Sequence, residues 1–431
     1  MLRFKVLMGL VLFALSFSVL PIFNSDTDKV ISNAKPKSNN DLVDHKEIQL
    51  YKWQQNTLKE AITLYFNEAI ASGDIVGAGV SIVRRDSIVI SDGFGKKNIK
   101  FNDKVDGETV FRLGSLSKGF AGILAASLNA EGTLHWNDKV SDYLPDFRLG
   151  NKPVTDKITL ANILSHTSGT PYHSYTNLVE AGLPLGTIAK QFKNVNPISK
   201  PGLMYSYQNA MFALSGEIMR KATGHDITEL LNDRFFKPLG MTNTSMDGET
   251  LVQTENIAMP HTKSRYGFKA LKLNDNYYNA VAAGGINASA VDMAKWMRFL
   301  LGHNPDIMDK SAFEAAFNPF IEIKGHSKYY QKWSGHLASY YGFGWRIHKY
   351  LEDGSDEEKT ILHHGGSVNN YRNEIALFPE DDLGICVLLN SNSKIAQTVI
   401  PDLRKIVSDI YSSNTSKMVA NSTDKKTTSV L

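Results

Sequence analysis

Phe111-Arg112-Leu113-Gly114-Ser115-Leu116-Ser117-Lys118 is the stretch on which this chain turns, because Ser115 and Lys118 form an S-x-x-K at the head of an apolar helical run. The pattern says little by itself, since it recurs at Ser32, Ser391 and Ser422. Context separates the copies. Ser32 and Ser422 sit in polar segments, and Ser391 follows a strand in what reads as a surface turn. Ser115 instead precedes Phe120, Ile123, Leu124 and Leu128, with a stop at Gly132. Residues three apart on a helix share a face, so the Ser115 hydroxyl and the Lys118 amine are neighbours. A serine hydroxyl is a weak nucleophile until a base takes its proton. Lysine serves as that base only where burial or nearby cations lower its pKa. Backbone N–H groups at a helix start are also placed to hold a developing oxyanion. The plain alternative is a capping serine beside a solvated lysine.

Two later elements extend the pattern. Pro201-Gly202-Leu203-Met204-Tyr205-Ser206-Tyr207-Gln208-Asn209 sets a Y-x-N between a Pro-Gly turn and an apolar helix over Ala210–Ala222. Three other Y-x-N matches start at Tyr175, Tyr277 and Tyr371. A phenol beside an ammonium ionises more readily and can move protons. The Asn209 amide has the groups to donate to a substrate carbonyl and to hold the lysine. Leu362-His363-His364-Gly365-Gly366-Ser367 lies just before a strand at Glu374. Its glycines admit close backbone approach, and an N–H there can complete an oxyanion hole. Paired histidines also allow a structural or a metal-binding reading, but no third ligand pattern accompanies them. No metal or organic cofactor is expected.

Composition narrows the field. The 431 residues are 42% hydrophobic and 21% charged, with 32 Gly and 14 Pro, an ordinary globular balance that excludes fibrous and wholly disordered classes. With 47 basic and 44 acidic residues the net charge is +3, and no basic stripe points to nucleic acid. Cys386 is the sole cysteine, so an intrachain disulfide, a zinc–thiolate cluster and an iron–sulfur site are excluded. G-x-S-x-G, H-E-x-x-H, the P-loop and G-x-G-x-x-G are all missing from the sequence.

Arg3 and Lys5 precede an apolar run from Val6 to Phe23, which reads as an export signal or an amino-terminal membrane anchor over residues 1–23. The expected location is periplasmic or secreted, with residues 6–23 a possible tether. Residues 24–46 read as a disordered linker. From Glu47 to Ala71, Leu50, Trp53, Leu58, Ile62, Tyr65, Phe66 and Ile70 predict one helix face. Strand patterns cover Val76–Val83 and Ser87–Ser91 and return at Gly342–His348, Glu374–Phe378 and Gly384–Asn390. A mostly helical middle spans about 115–320, a last helix covers Ala396–Tyr411, and residues 413–431 read as a disordered tail. This order predicts one sheet completed from both chain ends, with a helical insertion.

Taken together and in order, the three elements resemble those of the serine β-lactamase and penicillin-binding-protein superfamily, in its class C-like branch of esterases and D-amino-acid peptidases. Thr159-Leu160 and Ile163-Leu164-Ser165-His166-Thr167-Ser168-Gly169 resemble that branch's T-x-x-x-L-L-x-H-T-S-G segment, and Val368-Asn369-Asn370-Tyr371-Arg372 its V-x-G-Y-R stretch. The resemblance spans roughly residues 50–412. It implies an α/β fold of the α+β type: an antiparallel sheet flanked by helices, with a helical inserted domain, the whole hydrolase domain running over 47–412.

The resemblance also implies roles. Ser115 becomes the acylated nucleophile, and Lys118 and Tyr207 a coupled proton-transfer pair. Asn209 positions substrate, and the N–H groups of Ser115 and Ser367 form an oxyanion hole. His364 takes the place of the lysine that opens K-T-G in many relatives, followed by Gly365 and Gly366. His363-His364-Gly365 fits H-x-G as well, but His364 keeps the family spacing to Tyr371. Histidine weakens a fixed positive charge for a carboxylate, which favours esters or peptides over β-lactams. Asn370 stands where the family has glycine, and His166 reads as structural. The implied activity is hydrolysis of an ester or amide through an acyl-enzyme, with a small molecule or peptidoglycan stem peptide as partner. A catalytically inactive peptidoglycan-binding or scaffold protein is the competing reading.

Overall fold

The computed structural model describes residues 39–352 and 354–412, with side chains from Glu47 onward. The chain divides into two units, Met1–Gln49 and Leu50–Leu431. Within the first, only the opening of helix α1 (Asn39–Ala71) is described, so the export segment and the carboxyl-terminal tail lie outside the described residues. Helix α1 starts eight positions before the expected Glu47, taking in residues assigned to the linker. No Gly or Pro interrupts Asn39–Ala71.

In the second unit, eight strands build one antiparallel sheet: β1 (Gly77–Arg84), β2 (Ser87–Gly95), β3 (Ile321–Glu322), β4 (His336–Tyr341), β5 (Arg346–Leu351), β6 (Glu358–Val368), β7 (Tyr371–Phe378) and β8 (Leu383–Leu389). Their order is β2-β1-β8-β7-β6-β5-β4-β3. The join between early and late chain is β1 on β8, with Val80 opposite Val387. Alternation along β8 sends Ile385, Val387 and Leu389 to one face and Cys386 and Leu388 to the other. The first face is covered by Leu58, Ile62 and Phe66 of α1 and by Leu403 and Val407 of a final helix, Val399–Tyr411.

The other face carries the helical region, including α2 (Ser117–Ala130), α3 (Asn209–Thr223) and α4 (Ala290–Leu300). Phe120 of α2 stacks on Trp296 of α4 at 4.2 Å between ring centres. The expected helical insertion therefore shares one core with the sheet. Small two-stranded ribbons join Val110–Arg112 to Asn287–Ser289 and His261–Ser264 to Gly267–Ala270.

Two expectations need correction. The run Gly342–His348 is a turn followed by the start of β5. Residues 342–345 leave the sheet to pack on α2, where Trp345 Nε1 donates to the Gly119 carbonyl at 3.3 Å. Ser391 is fully buried, pairing across a bridge with His261 rather than lying in a surface turn. Its S-x-x-K partner, Lys394, is exposed. Among the described residues, no helix is long and apolar enough to cross a membrane.

Candidate active site

The short strand Val110–Arg112 delivers the chain into a 3₁₀ turn, Gly114–Leu116, from which α2 begins. Gly114 and Leu116 are buried, whereas Ser115 keeps partial exposure. Gly114 has φ +57°, and a Cβ there would lie 2.8–2.9 Å from the backbone of Ser367. A Cβ on Gly366 would lie 2.1 Å from the Leu113 carbonyl oxygen. Missing side chains at these two points let the Ser115 turn and strand β6 touch backbone to backbone. Gly114→Ala should therefore lower stability by about 1–3 kcal/mol and activity by about 10²-fold as the two backbones part. Thermal unfolding and turnover of an activated ester would measure both.

Lys118 is fully buried, in the first turn of α2. Its Nζ lies 2.7 Å from Asn209 Oδ1, 2.7 Å from the Ala283 carbonyl oxygen and 3.3 Å from Ser115 Oγ. Desolvation by burial, and secondarily the charge of Arg346, holds its pKa well below the ordinary lysine range. A neutral amine has two hydrogens and one lone pair. The two carbonyl-type acceptors take the hydrogens, which leaves the lone pair for the serine hydroxyl.

Tyr207 OH donates to Ser115 Oγ at 2.9 Å. Burial pushes the phenol up to about 12, outweighing the lowering by Arg346 and by the serine contact. This reverses the expectation of a readily ionised phenol. The depressed Lys118 pKa weakens the ammonium that would favour the phenolate. The loop that carries Tyr207 is clamped by His166, whose carbonyl accepts from Ser206 N at 2.8 Å and whose Nδ1 accepts from Gln208 N at 3.2 Å. The His166 ring lies 4.2 Å from that of Tyr207. Its structural reading matches this geometry. Tyr207→Phe should cut acylation about 10²- to 10⁴-fold. The change should move stability by only about 1 kcal/mol, read by burst kinetics and denaturant melts.

Asn209 opens α3 with its Oδ1 on Lys118 and its Nδ2 donating to Tyr277 OH at 3.0 Å. It therefore holds the lysine. Its Nδ2 carries a second hydrogen beyond the one given to Tyr277, the one the expected donation to a substrate carbonyl would use.

On β6, neighbouring residues face opposite ways. His364 is fully buried, with Nδ1 donating to the Gly365 carbonyl at 2.7 Å and Nε2 accepting from Tyr341 OH at 3.0 Å. Its ring centre lies 6.4 Å from that of Tyr207. His363 is engaged elsewhere, with Nε2 2.8 Å from Glu374 Oε2 and Nδ1 3.1 Å from His348 Nε2. Of the two, His364 is the one whose ring lies beside that of Tyr207. Burial, then Arg346 and Lys118, keep His364 well below its usual pKa, so it is neutral.

Gly365 and Gly366 carry the strand past Tyr329 and Leu116 to the exposed Ser367. Val368 and Tyr371 then close a two-residue turn in which Asn369 and Asn370 have φ +46° and +66°. Asparagine tolerates this left-handed region, which explains how Asn370 replaces glycine. Hydrogen-bonded pairs alternate along an antiparallel ladder, so with Val368 paired to Tyr371 the Ser367 N–H points away from β7. Strand β5 pairs with β6 only as far as His363, which leaves that edge open beside Ser115.

All the sequence-predicted positions converge, although 249 residues separate Ser115 from His364. Sequence reasoning missed the Ala283 carbonyl, Tyr277, Tyr341 and Arg346. A carbonyl carries no sequence signal. Tyr277 appeared only as one of several Y-x-N matches, and Arg346 merely follows an aromatic-glycine stretch.

A serine between a buried lysine and a tyrosine, at the edge of a large antiparallel sheet, defines the serine β-lactamase and penicillin-binding-protein class. The chain belongs to the Beta-lactamase family, whose model matches residues 62–405. It is similar to "Protein flp" of Staphylococcus aureus (strain COL), 24% identical over 350 residues, covering 81% of this chain and 66% of that protein. "Unguisins hydrolase ungD'" of Aspergillus campestris (strain IBT 28561) is 26% identical over 318 residues, covering 70% of this chain and 55% of the relative. The chain thus spans just under two thirds of the first of these relatives. The octameric penicillin-binding protein homologue from Pyrococcus abyssi shares the fold, with TM-score 0.68, 24% identity, and 81% and 77% of the two chains covered.

Proposed function

We propose that this protein is a serine hydrolase that cleaves an ester or amide through an acyl-enzyme on Ser115. The observation that carries the reading is the set of contacts around Lys118 Nζ: two acceptors at 2.7 Å and the serine hydroxyl at 3.3 Å. Ser115 Oγ attacks the carbonyl while its proton passes to Lys118. The N–H groups of Ser115 and Ser367 hold the tetrahedral oxyanion. Tyr207, protonated at neutral pH, gives its proton to the leaving group and recovers one from Lys118. Water then attacks the acyl carbonyl, loses its proton to the same pair, and Ser115 Oγ regains a hydrogen as the acid departs. Family membership and a relative named as a hydrolase support this reading in general terms.

Labelling with a fluorophosphonate, followed by intact-mass and peptide analysis, tests it. One adduct on Ser115 is expected. Folded protein that takes up neither this probe nor a penicillin would favour the inactive, peptidoglycan-binding alternative. We also propose action outside the cytoplasm, on a small molecule or a stem peptide, resting on Arg3, Lys5 and the apolar run that follows. Fractionation of cells expressing the full chain checks the location.

A further inference from the structure

Tyr277 has a left-handed backbone, φ +73°, although it carries a bulky side chain. Such a conformation persists only where its surroundings over-determine it, and it gathers at functional sites. Two glycines make room for the residue. A Cβ on Gly284 would lie 2.8 Å from Tyr277 Cδ1, and one on Gly285 would lie 2.6 Å from the Tyr277 carbonyl oxygen. The buried phenol then receives the Asn209 amide, Nδ2 donating to its OH at 3.0 Å. Burial, and next the charge of the exposed Glu180, raises the Tyr277 pKa, so the group stays protonated. The Glu180 carboxylate is placed to take the phenol's own hydrogen, which leaves the oxygen to accept.

Both ends of this arrangement reach Lys118. Asn209 Oδ1 and the Ala283 carbonyl oxygen are the two acceptors at 2.7 Å from Nζ. Tyr277 meets the first through the amide nitrogen. It meets the second through Gly284, the residue after Ala283 in the helical turn Val281–Gly284. A primary amide presents oxygen on one side and N–H groups on the other, and half a turn exchanges them. An acceptor held at Nδ2 tells the two ends apart. With the oxygen turned in, Nζ gives its hydrogens away and keeps its lone pair for Ser115. With the ends exchanged, an amide N–H would donate to that lone pair and occupy the base.

We propose that Tyr277 is a positioning residue for acylation, which through Asn209 and the Ala283 carbonyl sets the direction of the Lys118 lone pair. The assignment rests on the hydrolase reading and adds to it a residue outside the three motifs, 68 positions beyond Asn209. The other groups that face Lys118 are the rings of Tyr207 and Phe212, with centres 4.9 and 5.4 Å from Nζ, and the imidazoles of His166, His173 and His364. Arg346 adds its charge, with Nε and Nη1 lacking a hydrogen-bond partner among the described residues. Among the described residues, the hydrogen-bond partner of Asn209 Nδ2 is Tyr277.

Tyr277→Phe keeps the ring and removes the acceptor, and two measurements read the lysine. The first needs no turnover. Denaturant unfolding is followed from pH 5 to 10 for the parent and for Tyr277→Phe, each compared with the same protein carrying Lys118→Met, so that the difference isolates the lysine. In Tyr277→Phe, Nζ loses an acceptor and gains a donor, which disfavours the ammonium. The window in which stability rises with pH should therefore open about one pH unit lower. The second measurement is the rate constant for labelling of Ser115 by a fluorophosphonate against pH. Its plateau should fall about 10- to 100-fold, and its acid limb should move with the stability window. A residue that merely fills space would move neither midpoint. Gly284→Ala, which crowds the ring, should shift both midpoints the same way, and the double substitution should shift them no further than Tyr277→Phe does. Midpoints unmoved in these variants overturn the proposal, and should Tyr277→Phe not fold, Gly284→Ala decides alone. If Ser115 takes no label in any of these proteins, the hydrolase reading fails, while the unfolding comparison still decides whether Tyr277 sets the state of the lysine.

Discussion

Ser115→Ala should abolish fluorophosphonate labelling and lower ester turnover by about 10³-fold or more, since the nucleophile is the one group no neighbour replaces. Its Oγ is the meeting point of Tyr207 OH and Lys118 Nζ, so neither partner reaches a carbonyl without it. Folding should be nearly untouched. The substitution removes one partly exposed hydroxyl and two polar contacts, worth about 1 kcal/mol, and the melting temperature should move by less than about 4 °C. Turnover that persists in this variant, with the fold intact, would place the chemistry elsewhere.

Lys118→Met should be comparably damaging to acylation while revealing the lysine's protonation state. The buried amine has its pKa depressed, so between the folded value and the ordinary one the native state binds fewer protons than the unfolded chain. Stability of the parent protein should therefore rise with pH across that window and be flat below it, at about 1.4 kcal/mol per pH unit inside it. The methionine variant lacks this slope. Denaturant unfolding of both proteins from pH 6 to 10 measures the difference, and parallel curves would show a lysine of ordinary pKa. Activity of the parent should climb tenfold per pH unit up to the lowered lysine pKa and then level off, as the base loses its proton. A maximum found only near the ordinary lysine pKa would contradict the lone-pair geometry.

Much of this site is legible in the linear chain. Ser115 and Lys118 are three apart on a helix, Tyr207 and Asn209 flank a helix start, and His364 to Ser367 end a strand. Each pairing is local, so short-range periodicity and turn chemistry reveal it. The family resemblance ties them together. Less was visible where a side chain is defined by what it lacks. Arg346 is notable for having no partner, and a missing partner is a property of three-dimensional surroundings. Strand limits were equally non-local: Gly342–His348 has a strand-like composition, yet its first residues are drawn off to pack against α2.

The sequence by itself determined the order of the catalytic candidates, the late strands that complete an early hairpin, and the exclusion of disulfide and thiolate-metal chemistry. Only the tertiary structure decided which protonation states those candidates hold. Desolvation and the field of distant charges depend on every layer packed around a group, and they lower the Lys118 pKa, raise that of Tyr207 and keep His364 neutral.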